Sequence, residues 1–263
     1  RSLPPSMSLI VSGLIFGVLA SLLVRWGNPA NMGFCAACFL RDITGALGLH
    51  RAEVVQYIRP EILGLVLGSF VAAFAFREFR TRGGSAPLVR FLLGALMMIG
   101  ALVFLGCPVR ALLRLVGGDL NGITALGGLV TGAFLGILFL KRGFNLGRSV
   151  RMPALAGWLF PAFMVLLLLF VIFTPYFIFS SGSGPGSLHA VLWISLAIGL
   201  GIGFLAQRTS MCFVGGWRDL MLIRDTHLFG VIAAFSVGTL VTNLILGQID
   251  HWGFVGQPIS HDE

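Results

Sequence analysis

Charged residues are scarce: they make up 11% of the 263 positions, with ten acidic side chains against eighteen basic ones and a single lysine, Lys141. An ordinary soluble domain carries about 25% charge, so that class is excluded. Dyad alternation of polar and apolar residues is missing as well, which excludes a transmembrane barrel. No phosphate loop or other nucleotide motif occurs, so nothing points to an ATP-driven pump. The four cysteines lie in or beside apolar runs rather than in a secreted disulfide pattern. No cluster of histidine or carboxylate accompanies them, so no metal site and no cofactor is expected. No cleavable signal peptide is identifiable. The chain starts at Arg1, and its natural N-terminus is expected upstream.

Apolar residues fill the chain instead, at 57% of positions with a mean hydropathy of +0.95. Runs long enough to cross a bilayer, or nearly so, lie at 7–24, 60–76, 91–106, 123–140, 154–179, 189–206 and 228–247. The expected fold is therefore an all-α, polytopic membrane protein. Its net charge of +8 comes almost wholly from arginines at the ends of these runs. That placement speaks for membrane orientation and anion handling, with no nucleic-acid partner.

One stretch is written twice. Met32–Asp42 reads Met-Gly-Phe-Cys-Ala-Ala-Cys-Phe-Leu-Arg-Asp, and Ser210–Asp219 reads Ser-Met-Cys-Phe-Val-Gly-Gly-Trp-Arg-Asp. Setting Cys35 on Cys212 also sets Arg41 on Arg218 and Asp42 on Asp219. Each copy follows one Gly-rich apolar run and precedes another. A partial third copy is Gly106-Cys107-Pro108-Val109-Arg110. The pieces 33–40, 107–115 and 211–217 are too short to cross and suit re-entrant half-helices, tolerated at membrane depth only inside protein or against a cavity.

If only the seven runs cross, Arg77, Arg80, Arg82, Arg90, Lys141, Arg142, Arg148 and Arg151 share one side with Arg1 and Arg208. That side is expected to be cytoplasmic. Opposite lie the uncharged stretch 180–188 and the acidic end His261–Glu263. Counted this way, 7–24 runs outward and 189–206 inward. The halves, 1–152 and 153–263, then form an inverted repeat, an arrangement that places transporter sites near the midplane. Gly13 and Gly17, then Gly128, Gly132 and Gly136, and then Gly199, Gly201 and Gly203 are expected to pack helices closely. Pro161 and Pro175 should kink or end the long fifth run, and Ser181–Gly186 reads as a flexible join. The back half stops where counterparts of 91–106, Cys107 and 123–140 would begin, so two further spans and a fourth cassette are expected beyond residue 263.

Half-helix N-termini attract anions, arginine adds fixed charge, and thiols are soft and polarizable. Cys35, Cys107 and Cys212 with Arg41, Arg110 and Arg218 therefore suit an anion carrying a soft sulfur or selenium atom. Cys38, which aligns with Gly215, reads first as a small buried hydrophobe. Arg41–Asp42 and Arg218–Asp219 are equally well ion pairs that fix the half-helices or groups that touch substrate. Cys35-Ala36-Ala37-Cys38 also matches Cys-x-x-Cys, so a membrane thiol-disulfide oxidoreductase is the alternative.

Gly33-Phe34-Cys35, Gly106-Cys107-Pro108-Val109-Arg110 and Met211-Cys212, between Gly-rich spans, resemble the YeeE/YedE sulfur-transport (thiosulfate transporter) family. Arg208–Cys212 with Gly215–Asp219 resembles its selenium-associated YedE branch. The resemblance implies a pseudo-twofold helical bundle in a bacterial inner membrane. It also implies uptake of thiosulfate or a related sulfur or selenium species past Cys35, Cys107 and Cys212, without enzymatic turnover. A cytoplasmic sulfur- or selenium-carrier protein is the acceptor such uptake would call for.

Overall fold

The computed structural model describes residues 5–258. Arg1 and the acidic end His261–Glu263, both used above to orient the chain, lie outside them. Among the described residues ten α-helices follow in order: α1 (Pro5–Arg25), α2 (Ala36–Ala46), α3 (Pro60–Ala75), α4 (Pro87–Val103), α5 (Pro108–Val116), α6 (Asn121–Lys141), α7 (Ala154–Phe173), α8 (Leu192–Thr209), α9 (Phe213–Leu222) and α10 (His227–Leu246). Seven stretches of the described residues are long and apolar enough to cross a membrane, each containing one of α1, α3, α4, α6, α7, α8 and α10. These suit a multi-pass membrane protein. The helices α2, α5 and α9 have 11, 9 and 10 residues, about half of what a bilayer crossing needs.

The central packing exchanges partners between the two halves of the sequence. Its two most extensive helix contacts are α1 against α10 and α8 against α3. Glycine makes both possible. A methyl group at Gly13 would meet the carbonyl of Val231, and one at Gly64 the carbonyl of Leu196, each at 2.6 Å. Gly17, Gly68, Gly199 and Gly203 face opposing backbone in the same way. With lipid on offer outside, close backbone approach and dispersion must hold such helices together.

The glycines of α6 behave differently. A methyl group added at Gly128, Gly132 or Gly136 would have nothing within 4 Å, and the same holds for Gly201 on α8. Expected as packing residues, Gly128, Gly132 and Gly136 lie on the exposed face of α6, where only Gly122 and Ile137 are buried, and Gly201 lies on the exposed face of α8. The helix α4 has no buried residue at all. Glycine spacing marks a surface that permits close approach, but it does not say that a neighbour is present.

Three further expectations change. Helix α7 stops at Phe173 rather than near 179, an end of the kind expected of Pro175: Thr174 turns into the left-handed region just ahead of it, while Pro161 stays inside the helix. A two-stranded antiparallel ribbon, β1 (Arg82–Gly83) with β2 (Val150–Arg151), interrupts the all-helical reading. It is too short and too charged to show strand periodicity. Finally, the join at 181–186 is not loose. Ser181 N–H donates to the Gln56 carbonyl (2.8 Å), Gly186 N–H donates to Val54 (2.8 Å), and Gln56 N–H donates to Ser181 Oγ (2.7 Å). These bonds bind it to the chain leading into α3.

Candidate functional site

Each short helix begins at a cysteine. Cys35 caps α2, its sulfur accepting the Cys38 amide at 3.4 Å, and Cys212 caps α9, accepting the Gly215 amide at 3.2 Å. The matched caps place Cys38 and Gly215 at equivalent positions, as the sequence alignment has them. Cys107 precedes α5, where Pro108 at the first helical position costs nothing because that amide would lack a partner anyway. Cys107 makes no capping bond of the Cys35 kind. Its sulfur lies near the first-turn amides of α5 and near Ala36 at the head of α2. The N-termini of α2 and α5 therefore converge on one point, and their positive dipole ends add there.

Three thiols meet at this point. Cys107 is partly exposed, and its thiol lies beside that of Cys35. Cys35 is fully buried and donates to the Cys38 sulfur at 3.0 Å. Cys38, 1% exposed, donates to the Leu105 carbonyl at 3.7 Å. The fully buried Arg110 donates from Nη1 to the Cys38 sulfur at 3.1 Å and to the Leu105 carbonyl. Gly106 lets this happen, since a methyl there would strike the Arg110 side chain at 2.7 Å. Leu105 holds φ at +64°. That conformation costs a bulky residue about 1–3 kcal/mol and is kept only where its surroundings enforce it. Here it aims a carbonyl at Arg110 and Cys38.

The chain matches no known family model, no curated protein and no solved structure.

Around the thiols runs a buried ionic network. Asp42, fully buried, accepts from Arg41 (2.9 Å) and from Arg59 (2.8 Å). Arg59 is also fully buried; it lies over the Phe39 ring at 4.6 Å and donates to the carbonyls of Pro185 (2.7 Å) and Leu188 (2.9 Å). The second cassette repeats only the first part of this. Arg218 binds Asp219 at 2.7 Å with its side chain 53% exposed, and no second cation reaches Asp219 among the described residues. Arg41 and Arg218 are both engaged with carboxylates, whereas Arg110 is turned to sulfur.

Cys212 stands apart from the other three thiols, exposed at the head of α9. Between the cassettes sits a knot of rings: Phe16 lies 5.2 Å from Phe34, 5.7 Å from Phe213 and 5.0 Å from Phe235, and Phe213 lies 5.1 Å from Phe235. Phe34 precedes Cys35 and Phe213 follows Cys212, so both cassettes reach the same ring cluster. A small cavity of about 20 Å³ lies beside it, lined by Ser21, Asn31, Asn243 and Gln248 together with Gly33 and Leu113. It is large enough for one water.

Sequence reading missed Arg59, Leu105, Asn28 and Glu61. Glu61 is fully buried at the head of α3 and accepts from Asn28 (2.8 Å) and from Ser195 on α8 (3.0 Å). The same Asn28 amide donates to the Gly33 carbonyl at 3.0 Å, two residues before Cys35. The signal was Arg59-Pro60-Glu61 at the mouth of an apolar run, where two charges entering a span ask for partners. Among the described residues no group of three or more His, Cys, Asp or Glu is placed to hold a metal ion.

Proposed function

We propose that this chain is a membrane transporter, or channel-like facilitator, for uptake of a small sulfur- or selenium-containing anion of thiosulfate-like chemistry. The observation that carries the reading is the file of thiols from partly exposed Cys107 through Cys35 to Cys38, closed by Arg110 and two helix N-termini. A terminal sulfur is large and polarizable, and S–H donors match it better than hydroxyls would. Its negative charge is offset by the Arg110 guanidinium and the positive dipole ends of α2 and α5. The anion is passed from thiol to thiol by exchange of S–H···S contacts, with no covalent step.

On this reading α2 and α9 enter from opposite faces of a bacterial inner membrane as re-entrant half-helices of an inverted repeat, as in the YeeE/YedE family. Their common cysteine caps and the exchanged pairing of α1 with α10 and α8 with α3 support it. The ring knot around Phe16 is then the barrier between two access routes, and Cys212 belongs to the second.

The test is uptake of labelled thiosulfate by cells carrying the full-length protein. Alanine at Cys35, Cys107 or Cys212 should abolish uptake while leaving folded protein in the membrane. Wild-type rates in all three would end the proposal.

A second reading rests on the 3.0 Å separation of the Cys35 and Cys38 sulfurs. As an oxidoreductase the pair would form a disulfide, passing two electrons and two protons to a partner disulfide that becomes two thiols. Burial of both sulfurs weighs against attack by a protein partner. A mixed disulfide trapped through Cys35 in a Cys38→Ala variant would favour this reading over transport.

A further inference from the structure

A second cavity lies at the arginine-rich end of the molecule, and no thiol lines it. It has a volume of about 480 Å³ and is lined by Arg80, Thr81, Arg82, Arg151, Met152 and Ala154. The ribbon of β1 and β2 sets Arg82 directly opposite Arg151. Like charges facing each other across two strands are destabilising unless something of opposite sign sits between them. None is supplied by the described residues: beyond the backbone pairing of the ribbon, the side chains of Arg80, Arg82 and Arg151 make no hydrogen bond or ion pair with them. The nearby segments 77–90 and 141–151 hold eight basic residues and one carboxylate, Glu78, which is taken by Arg208 at 2.9 Å.

A second feature points at the same space. Helix α7 opens at Ala154 behind Pro153, with no side chain capping its first turn. Its free amides and positive dipole end therefore meet the cavity that Ala154 lines. Below the opening the surface turns aromatic and apolar. Trp158 packs on Phe70 (5.0 Å) and Phe79 (6.0 Å), as ring belts do at a membrane interface. Leu155, Leu159 and Phe163 stay exposed along α7.

We propose that this cavity binds the phosphate headgroup of an anionic phospholipid. Arg80, Arg82 and Arg151 clasp the phosphate at the head of α7, and the acyl chains lie along the exposed face of that helix. A free phosphate would satisfy the arginines but leaves the adjoining apolar strip without a role. Bidentate guanidinium pairing suits phosphate in particular, and basic pockets at the ends of spanning helices are where anionic headgroups collect.

Native mass spectrometry of the purified full chain tests this, with phosphatidylglycerol, phosphatidylcholine and inorganic phosphate as probes. Wild-type protein should retain phosphatidylglycerol in preference to phosphatidylcholine, and millimolar inorganic phosphate should not displace it. The triple variant R80Q/R82Q/R151Q should bind about a hundredfold more weakly, the effect of removing three basic groups from a membrane-surface site. The variant K141Q/R142Q/R148Q, which removes as much charge from the same end without touching the cavity, should bind like wild type. Equal retention by both variants and wild type overturns the proposal. Equal loss in both variants reduces it to general charge attraction, and displacement by inorganic phosphate makes the site one for free anions; either result overturns the lipid assignment. All six substituted residues are exposed, so folding is not at stake.

Discussion

Arg110 and Cys38 are 72 residues apart in sequence and 3.1 Å apart in space, guanidinium nitrogen to sulfur. A buried arginine that spends a donor on a thiol makes that thiol the place where a negative charge is least costly. The same nitrogen holds the Leu105 carbonyl, so the guanidinium is fixed at one point while its field reaches the thiols.

Arg110→Lys keeps the charge but loses the rigid, longer guanidinium that sets Nη1 between both acceptors. Uptake should fall roughly tenfold to a hundredfold, the worth of one charge-assisted hydrogen bond at about 1.5–3 kcal/mol. Thiosulfate uptake against expression level measures it, and an unchanged rate would remove Arg110 from the path.

Thiol labelling separates the four cysteines. A membrane-impermeant maleimide should modify exposed Cys212 in folded protein, Cys107 more slowly, and the buried Cys35 and Cys38 only after unfolding. Mass spectrometry of the labelled peptides gives the order. Modification of Cys212 by a lipid-soluble reagent alone would set it against acyl chains and outside any aqueous route.

Breaking the Asp42–Arg59 pair should destabilise the fold more than removing it whole. Arg59→Gln or Asp42→Asn alone leaves one buried charge with fewer partners and should cost about 3–5 kcal/mol. The double variant should lose less than the sum of the two, as read from denaturant unfolding in detergent.

Glycines on different helices should answer differently to one methyl group. Gly68→Ala drives a methyl into the Leu200 backbone and must part α3 from α8; destabilisation on the order of 1–3 kcal/mol follows, as for other overpacked contacts. Gly132→Ala on α6 meets nothing and should be neutral or stabilising, by up to about 1 kcal/mol of helix propensity. Thermal unfolding of both variants distinguishes the two environments.

Much of the architecture could be read in advance, because a bilayer leaves length and apolarity as direct marks on a sequence. Seven long apolar helices and three short ones lie at the hydrophobic runs and cysteine cassettes, although α7 stops six residues early and α2 and α9 run five or six residues further than expected. Arg41–Asp42 and Arg218–Asp219 are ion pairs in both cassettes. What escaped was contact between distant segments. Cys38 looked like packing because its counterpart is Gly215, yet it receives Arg110 from α5. Leu105 carries no sequence mark for a left-handed backbone, a conformation that tertiary contacts enforce. Gly128, Gly132 and Gly136 have the spacing of a tight interface but lie on an exposed face.

Arg59 finds two of its acceptors, the carbonyls of Pro185 and Leu188, 126 and 129 residues further along the chain. During synthesis the first half leaves the ribosome with that guanidinium partly unsatisfied, and its energy minimum does not exist until residue 188 has emerged. The amino-terminal segment is thus an unfinished structure rather than an autonomous folding unit. A chain arrested before that point would keep only the Asp42 carboxylate as an oxygen partner for this cation.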